Sequence, residues 1–231
     1  MWIKGLFYIL LEKKIPPKFF NIINSLYEET KFRVKMFDGL SKPFLSACGV
    51  LQGDVLSPFM FNIFINGIVE TLQDENSDSV LIGNTSINTL LYADDLVLLS
   101  SNLQGLQNCL EKLSVFCASW KLVVNISKSK ALIFNSNGKS FSNHFYYNNS
   151  IIETVTQYCY LGITLKYNGN VGLATSILME KARKALFKMK KSSGLNNPCK
   201  LLEKLFDSII VPIMFYGCEI WGIESVLKCK D

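Results

Sequence analysis

Two adjacent carboxylates, Asp94 and Asp95, interrupt the apolar run Leu90-Leu91-Tyr92-Ala93-Asp94-Asp95-Leu96-Val97-Leu98-Leu99. The flanks are strand-like and favour burial, whereas two neighbouring acids need solvent or a counter-charge. No Lys or Arg lies between Lys42 and Lys112, so nothing nearby in sequence neutralises them. Two like charges ~4 Å apart repel by about 1 kcal/mol in water and about 4 kcal/mol at an effective dielectric of 20. A fold built on this run therefore has three options. It exposes the acids at a hairpin tip, brings in a distant cation, or uses them to clasp a divalent metal.

The rest of the chain alternates helix and strand signals. Residues 2–11 read as a helix ended by Ile15-Pro16-Pro17, and the spacing of Phe19, Ile22, Ile23, Leu26 and Tyr27 predicts a second helix over 18–28. Phe32, Val34 and Met36 then alternate with Lys31, Arg33 and Lys35, which predicts a half-buried strand. It turns at Phe37-Asp38-Gly39-Leu40 and returns over 42–48. The basic face of that strand suits solvent or a nucleic-acid backbone. In the loop that follows, Gly49 and Gly53 bracket Gln52 and permit close backbone approach to a ligand. Ser57 is expected as N-cap and Pro58 as first residue of a helix over 58–73, buried through Phe61, Phe64, Ile65, Ile68 and Leu72.

Strands are expected at 80–82, 87–93 and 96–100, with the acid pair at the bend between the last two. Leu103, Leu106, Leu110, Leu113, Cys117 and Trp120 mark a helix over 103–120. Ala131–Phe134 reads as a strand, Asn148-Asn149 as a hairpin turn, and Tyr158–Leu165 as a strand with a turn-capable Gly162. Beyond 166, one helix buries Ile177, Ala182, Ala185, Leu186 and Met189 while Lys181, Lys184, Lys188 and Lys191 line another side. Gly194-Leu195-Asn196-Asn197-Pro198 breaks it before a second helix over about 199–216.

Composition narrows the function classes. A chain of 231 residues, 49% apolar, supports one large domain or a domain with an appendage. The net charge of +5 suits a polyanionic partner without requiring one. Seven unpatterned cysteines and the single His144 argue against a structural zinc site. They fit reduced thiols in a cytoplasmic or nuclear, non-secreted protein. No apolar run approaches the ~18 residues of a membrane span.

Four motifs stand in a familiar order: Gly49-Val50-Leu51-Gln52-Gly53-Asp54-Val55-Leu56-Ser57-Pro58, then Tyr92-Ala93-Asp94-Asp95, then Leu122-Val123-Val124-Asn125-Ile126-Ser127-Lys128, then Tyr160-Leu161-Gly162. Asp94 falls 41 positions after Gly53. Together they resemble the reverse transcriptase of non-long-terminal-repeat (LINE-like) retrotransposons over essentially the whole chain. Tyr216-Gly217-Cys218-Glu219-Ile220-Trp221-Gly222 resembles a segment that follows the polymerase core in these elements.

The resemblance implies an α+β right-hand polymerase: a palm with an antiparallel sheet and packed helices, partial fingers and a helical thumb. Residues 1–48 would supply partial fingers and palm helices, 49–165 the palm, and 166–231 a thumb-like region. Asp94 and Asp95 would hold two Mg²⁺ ions, Asp94 as the principal ligand. Lys128 would approach the triphosphate. Gln52, Gly53, Ser57 and Tyr92 would serve the template and incoming nucleotide. Tyr160, Leu161 and Gly162 would grip the primer, and Lys181, Lys184 and Lys188 would touch backbone phosphates. The implied partners are an RNA template, a DNA primer and deoxynucleoside triphosphates.

One departure bears on activity. The family carries a further metal-binding Asp on a palm strand well before the Gln-Gly loop. Here the only Asp before Gly49 is Asp38, 11 residues upstream in a hairpin turn. The sequence therefore predicts a chain that begins just after that motif and does not polymerise DNA alone. Two further readings stand beside the polymerase: a catalytically silent nucleic-acid-binding remnant, and an unrelated metal-dependent phosphohydrolase using the same two acids.

Overall fold

Helix α1 (Ile3–Glu12) forms where Leu6, Ile9 and Leu10 recur at helical spacing, and all three are buried. It ends where Lys14 turns left-handed at φ 54° and the Ile15 N–H donates back to the Leu10 carbonyl, ahead of Pro16, and Pro17 opens α2 (Pro17–Glu28), where its missing N–H is no loss. These elements belong to a computed structural model that describes residues 1–28, 30–45, 49, 53–73, 78–135, 143–192 and 199–222. The chain divides into two compact units: Met1–Lys128 with Tyr146–Ile151, and Ser129–Phe145 with Ile152–Asp231.

In the first unit α1 packs on α2 and on α3 (Ser57–Ile65). Leu6, Ile9 and Leu10 meet Ile23, Met60 and Phe64 in one apolar cluster. Trp120 closes it with its ring edge-on to Phe64, centroids 5.7 Å apart. The expected helix over 58–73 is instead two: α3, and α4 (Gly67–Leu72) after a break at Asn66. At the break the chain tightens, with Val69 N–H donating to the Asn66 carbonyl three residues back. The buried stripe nevertheless continues through Met60, Phe64, Ile65, Ile68 and Leu72. It meets α5 (Leu103–Ser119), which buries Cys109, Leu110, Leu113, Phe116 and Cys117.

The helix expected over 18–28 is α2, although Phe19, Ile22 and Leu26 are exposed and Ile23 is buried. The half-buried strand expected at 31–36 is not found. The strand pattern at 31–36 gives two short ladders, β1 (Lys31–Phe32) with β4 (Phe44–Leu45) and β2 (Lys35–Met36) with β3 (Gly39–Leu40). Val34 and Met36 are exposed there. A two-residue ladder covers too little area to bury a face.

The strands β5 (Val80–Ile82) and β6 (Thr85–Ile87) form one hairpin, and β7 (Thr89–Tyr92) and β8 (Asp95–Leu98) the next.

In the second unit β9 (Lys130–Leu132) runs parallel to the last residues of β11 (Ser150–Val155), pairing Lys130 with Glu153. Their side chains form an ion pair at 2.5 Å. Tyr146–Ile151 belong to the first unit, and there β10 (Phe145–Tyr147) leads into β11 through Asn148 and Asn149, at φ 46° and 63°, the left-handed pair of a type I′ turn. β12 (Gln157–Tyr160) and β13 (Ile163–Lys166) form a further hairpin.

Ile163 packs with Ala174 and Leu178 of α6 (Gly172–Ser192), joined by Leu165 and Trp221. α7 (Cys199–Leu205), a π-helical turn over Phe206–Ile210 and α8 (Val211–Met214) follow. Pro212 explains the wide turn, because an α-helical register would drive its ring into a carbonyl four residues back.

The chain is thus mixed α+β. Among the described residues its strands pair into small sheets, including one parallel pair, rather than into a single antiparallel sheet.

Candidate active site

The acid pair occupies the tip of the β7/β8 hairpin, where the sequence placed it. Tyr92 pairs with Asp95, leaving Ala93 and Asp94 as a two-residue turn. Ala93 sits at φ +52°, a left-handed conformation that costs a residue with a Cβ about 1–2 kcal/mol. Tyr92, Ala93, Asp94 and Asp95 are all exposed. Among the described residues neither side-chain carboxylate has a hydrogen-bond or ion-pair partner. Burial deepens away from the tip, through half-buried Leu91, Leu96 and Val97 to Asn88 and Thr89, 3% and 7% exposed.

Both feet of the hairpin are fixed by polar anchors that sequence reasoning missed. Asn88 donates from Nδ2 to the Leu72 carbonyl at the end of α4 (2.6 Å) and accepts the Thr89 hydroxyl (3.0 Å). Its own carbonyl accepts the Leu99 N–H at 2.7 Å, closing the ladder beyond β8. One foot is thereby tied to a buried helix end.

The other foot runs into α5 under the carboxylate of Asp78. That carboxylate accepts the hydroxyls of Ser100 and Ser101 and the backbone N–H groups of Ser101 (2.7 Å) and Asn102 (3.2 Å). The Ser100 and Ser101 hydroxyls, followed by the backbone donors, outweigh burial and hold its pKa down at about 2. Asn102 then caps α5 by accepting the Gly105 N–H at 2.8 Å. An amide between Ile87 and Thr89 at the start of the β7 run was the one available hint for Asn88. Asp78 carried none.

The other expected site residues fall as follows. Gln52 lies outside the described residues. Gly53 is exposed at φ +91°. Ser57 is not the N-cap but the first helical residue, buried at 3%. Asp54 takes the capping part: its Oδ2 accepts the Leu56 N–H (3.2 Å) and the Ser57 hydroxyl (3.3 Å). A carboxylate three residues ahead of the helix start reaches the N–H of the residue before it, which a hydroxyl inside the helix does not.

Lys128 is exposed, in a turn where its N–H donates to the Asn125 carbonyl at 3.2 Å. Tyr160, Leu161 and Gly162 form the β12/β13 turn. Lys181, Lys184 and Lys188 are exposed on α6, with Lys184 3.6 Å from Glu180. The α6 face opposite is buried through Ala174, Leu178 and Ala182, two of which the sequence reading did not include.

The family model described as reverse transcriptase (RNA-dependent DNA polymerase) matches residues 1–165. The chain belongs to the reverse transcriptase family. Its relatives are RNA-directed DNA polymerases of non-LTR retrotransposons. It is 26% identical to the RNA-directed DNA polymerase from mobile element jockey of Drosophila melanogaster, over 97% of this chain and 25% of that protein. It is 30% identical to the Pol polyprotein from type-2 retrotransposable element R2DM of the same species, over 94% of this chain and 20% of that one. The transposon X-element polymerase matches at 24%, over 96% of this chain and 24% of its own length. The chain thus spans about a quarter or less of these curated relatives.

Reverse transcriptases work with a divalent metal, and the donors here suit one. Two unpartnered carboxylates are hard oxygen ligands, and Mg²⁺ is commonly held by one or two carboxylates with water and substrate phosphates completing the shell. No third His, Cys, Asp or Glu gathers with them among the described residues. Nor is any described helix long and apolar enough to cross a membrane.

Proposed function

We propose that this reverse transcriptase domain serves templated nucleotidyl transfer, the RNA-directed DNA synthesis of retrotransposition. The observation that carries the reading is the Asp94-Asp95 tip: two unpartnered carboxylates in solvent on a hairpin whose feet are tied down. Carboxylates kept for structure sit in hydrogen bonds, as Asp78 does. Carboxylates kept for a ligand hold their lone pairs open.

On this reading Asp94 is the principal metal ligand and Asp95 the weaker one. Two Mg²⁺ ions would supply the charge stabilisation of an in-line phosphoryl transfer from a deoxynucleoside triphosphate. Lys128 would add positive charge or a proton at the departing pyrophosphate. Gln52 and Gly53, with Tyr92 and the Ser57 helix start, would border the template and incoming nucleotide. Tyr160, Leu161 and Gly162 would contact the primer. Lys181, Lys184 and Lys188 would meet phosphates, with an affinity that falls as salt rises. Residues 49–165 would then form the palm and 166–231 a thumb.

The chain by itself brings two acids to the tip, and Asp38, the only Asp before Gly49, lies in the turn between β2 and β3. Alone it is therefore expected to bind primer–template and not to extend it. Primer extension on an RNA template with Mg²⁺, read beside a binding titration, tests this. Salt-sensitive binding without incorporation is the expected result. Incorporation that Asp94→Asn abolishes would show that two acids suffice. Absence of binding would overturn the reading, and release of free phosphate without templated synthesis would favour a phosphohydrolase.

A further inference from the structure

The Tyr216–Gly222 segment lies beyond the family-matched residues, and the reading above gives its residues no individual role. In the second unit it closes onto the β12/β13 turn. Leu161 and Gly162 hold that turn at φ +46° and +83°, both left-handed. The Tyr216 hydroxyl donates to the Leu161 carbonyl at 2.8 Å. A Cβ on Gly162 would stand 3.0 Å from Cε1 of the same Tyr216 ring. Next along the chain, a Cβ on Gly217 would stand 2.7 Å from Cδ1 of Ile163. Two glycines therefore mark a close approach between two segments about 55 residues apart.

The segment is itself anchored. Trp221 packs on the Ile163, Ala174 and Leu178 cluster, and its Nε1–H donates to the Tyr216 carbonyl at 3.0 Å. A continuous set of contacts thus runs from the α6 core through Trp221 and Tyr216 to the Leu161 carbonyl. Leu161 has a Cβ, so φ +46° is strained, and the Tyr216 hydrogen bond offsets part of that cost.

We propose that Tyr216 is a positioning residue for the Tyr160-Leu161-Gly162 turn, holding that tip in the single shape that meets the primer strand. The proposal rests on the reading of that turn as a primer contact. It adds a residue whose action is exerted through the turn and not on the nucleic acid directly.

The test uses the full chain with a fluorescein-labelled RNA template, either unprimed or annealed to a recessed DNA primer. Anisotropy gives the affinity for each, and amide hydrogen exchange reports on residues 161–163. The wild type is expected to prefer the primed template. Tyr216→Phe keeps the ring and loses one hydrogen bond, and is expected to weaken primed binding about five-fold, the value of a single hydrogen bond near 1 kcal/mol. Unprimed binding should stay unchanged while exchange at 161–163 quickens.

Trp221→Phe is the second variant, retaining an aromatic in the cluster while removing the donor to Tyr216. It is expected to give the same selective loss, smaller in size. An equal loss on both templates would mean a merely structural role and overturn the proposal. Unchanged primed binding in Tyr216→Phe would overturn it while leaving the primer reading standing. A wild type with no preference for the primed template would sink the primer reading and the proposal with it.

Discussion

Two of the hairpins that end in two-residue turns, β7/β8 and β12/β13, are secured at opposite ends. The Ala93-Asp94 turn is fixed at its feet, by Asn88 on the Leu72 carbonyl and by Asp78 on Ser100, Ser101 and Asn102, while its tip touches nothing polar among the described residues. The Leu161-Gly162 turn is fixed at its tip, by the Tyr216 hydroxyl and ring. The difference teaches what each turn is suited to. A tip that must offer carboxylate lone pairs to a metal cannot use them in the fold, so its precision has to come from below. A tip that presents backbone and shape can be braced directly.

Four substitutions or conditions would break or sharpen that contrast. The largest effect is expected for Asn88→Ala. It strands the buried Leu72 carbonyl and Thr89 hydroxyl, at about 1–3 kcal/mol for each unsatisfied group. Denaturant unfolding should show the loss, and hydrogen exchange should quicken in β7 and β8 while β12 and β13 stay protected. Next comes Gly162→Ala, which forces an alanine to φ +83° against the Tyr216 ring, at about 1–3 kcal/mol. Here the exchange pattern should reverse, with β12 and β13 affected and the acid hairpin untouched.

The third is a pH effect, smaller because the Asp78 carboxylate is only half-buried. Its pKa is about 2 in the folded protein against 3.8 ordinarily, so the ionised form is what the fold favours. The stabilisation is complete above pH 4 and is lost as pH falls from about 4 towards 2. Asp78→Asn should flatten that part of the pH–stability curve, and protection at the start of α5 should follow the same titration.

The smallest is Ala93→Gly. Relief of the left-handed strain, about 1–2 kcal/mol, is offset by about 0.5–1 kcal/mol of added chain entropy in the unfolded state. A slight rise in thermal midpoint is expected. A fall would mean that the alanine methyl packs usefully at the tip.

Much of the local structure was legible in the residues. The acid pair inside a period-two run placed the β7/β8 tip, the Leu103–Trp120 spacing placed α5, and Asn148-Asn149 placed a hairpin turn at the residues where it occurs. Burial was less legible. The α2 stripe of Phe19, Ile22 and Leu26 has a helical period, yet only Ile23 beside it is covered. Periodicity tells which residues share a face and not whether another element reaches it. The Ser57-Pro58 pair announced a helix start correctly, but the capping group came from Asp54, which accepts the Leu56 N–H and the Ser57 hydroxyl, because Ser57 itself lies one residue inside the helix.

The sequence by itself determined the place of the acid pair at a hairpin bend and the span of α5, which rest on residue types a few positions apart, and the membership of the reverse transcriptase family, which rests on short motifs in order. Only the tertiary structure decided how the two turns are held. Asn88 meets Leu72 across 16 residues, Ser100 meets Asp78 across 22, and Tyr216 meets Leu161 across 55. Such pairings depend on which surfaces the packed helices bring side by side, and that geometry exists only once the chain has collapsed around its core.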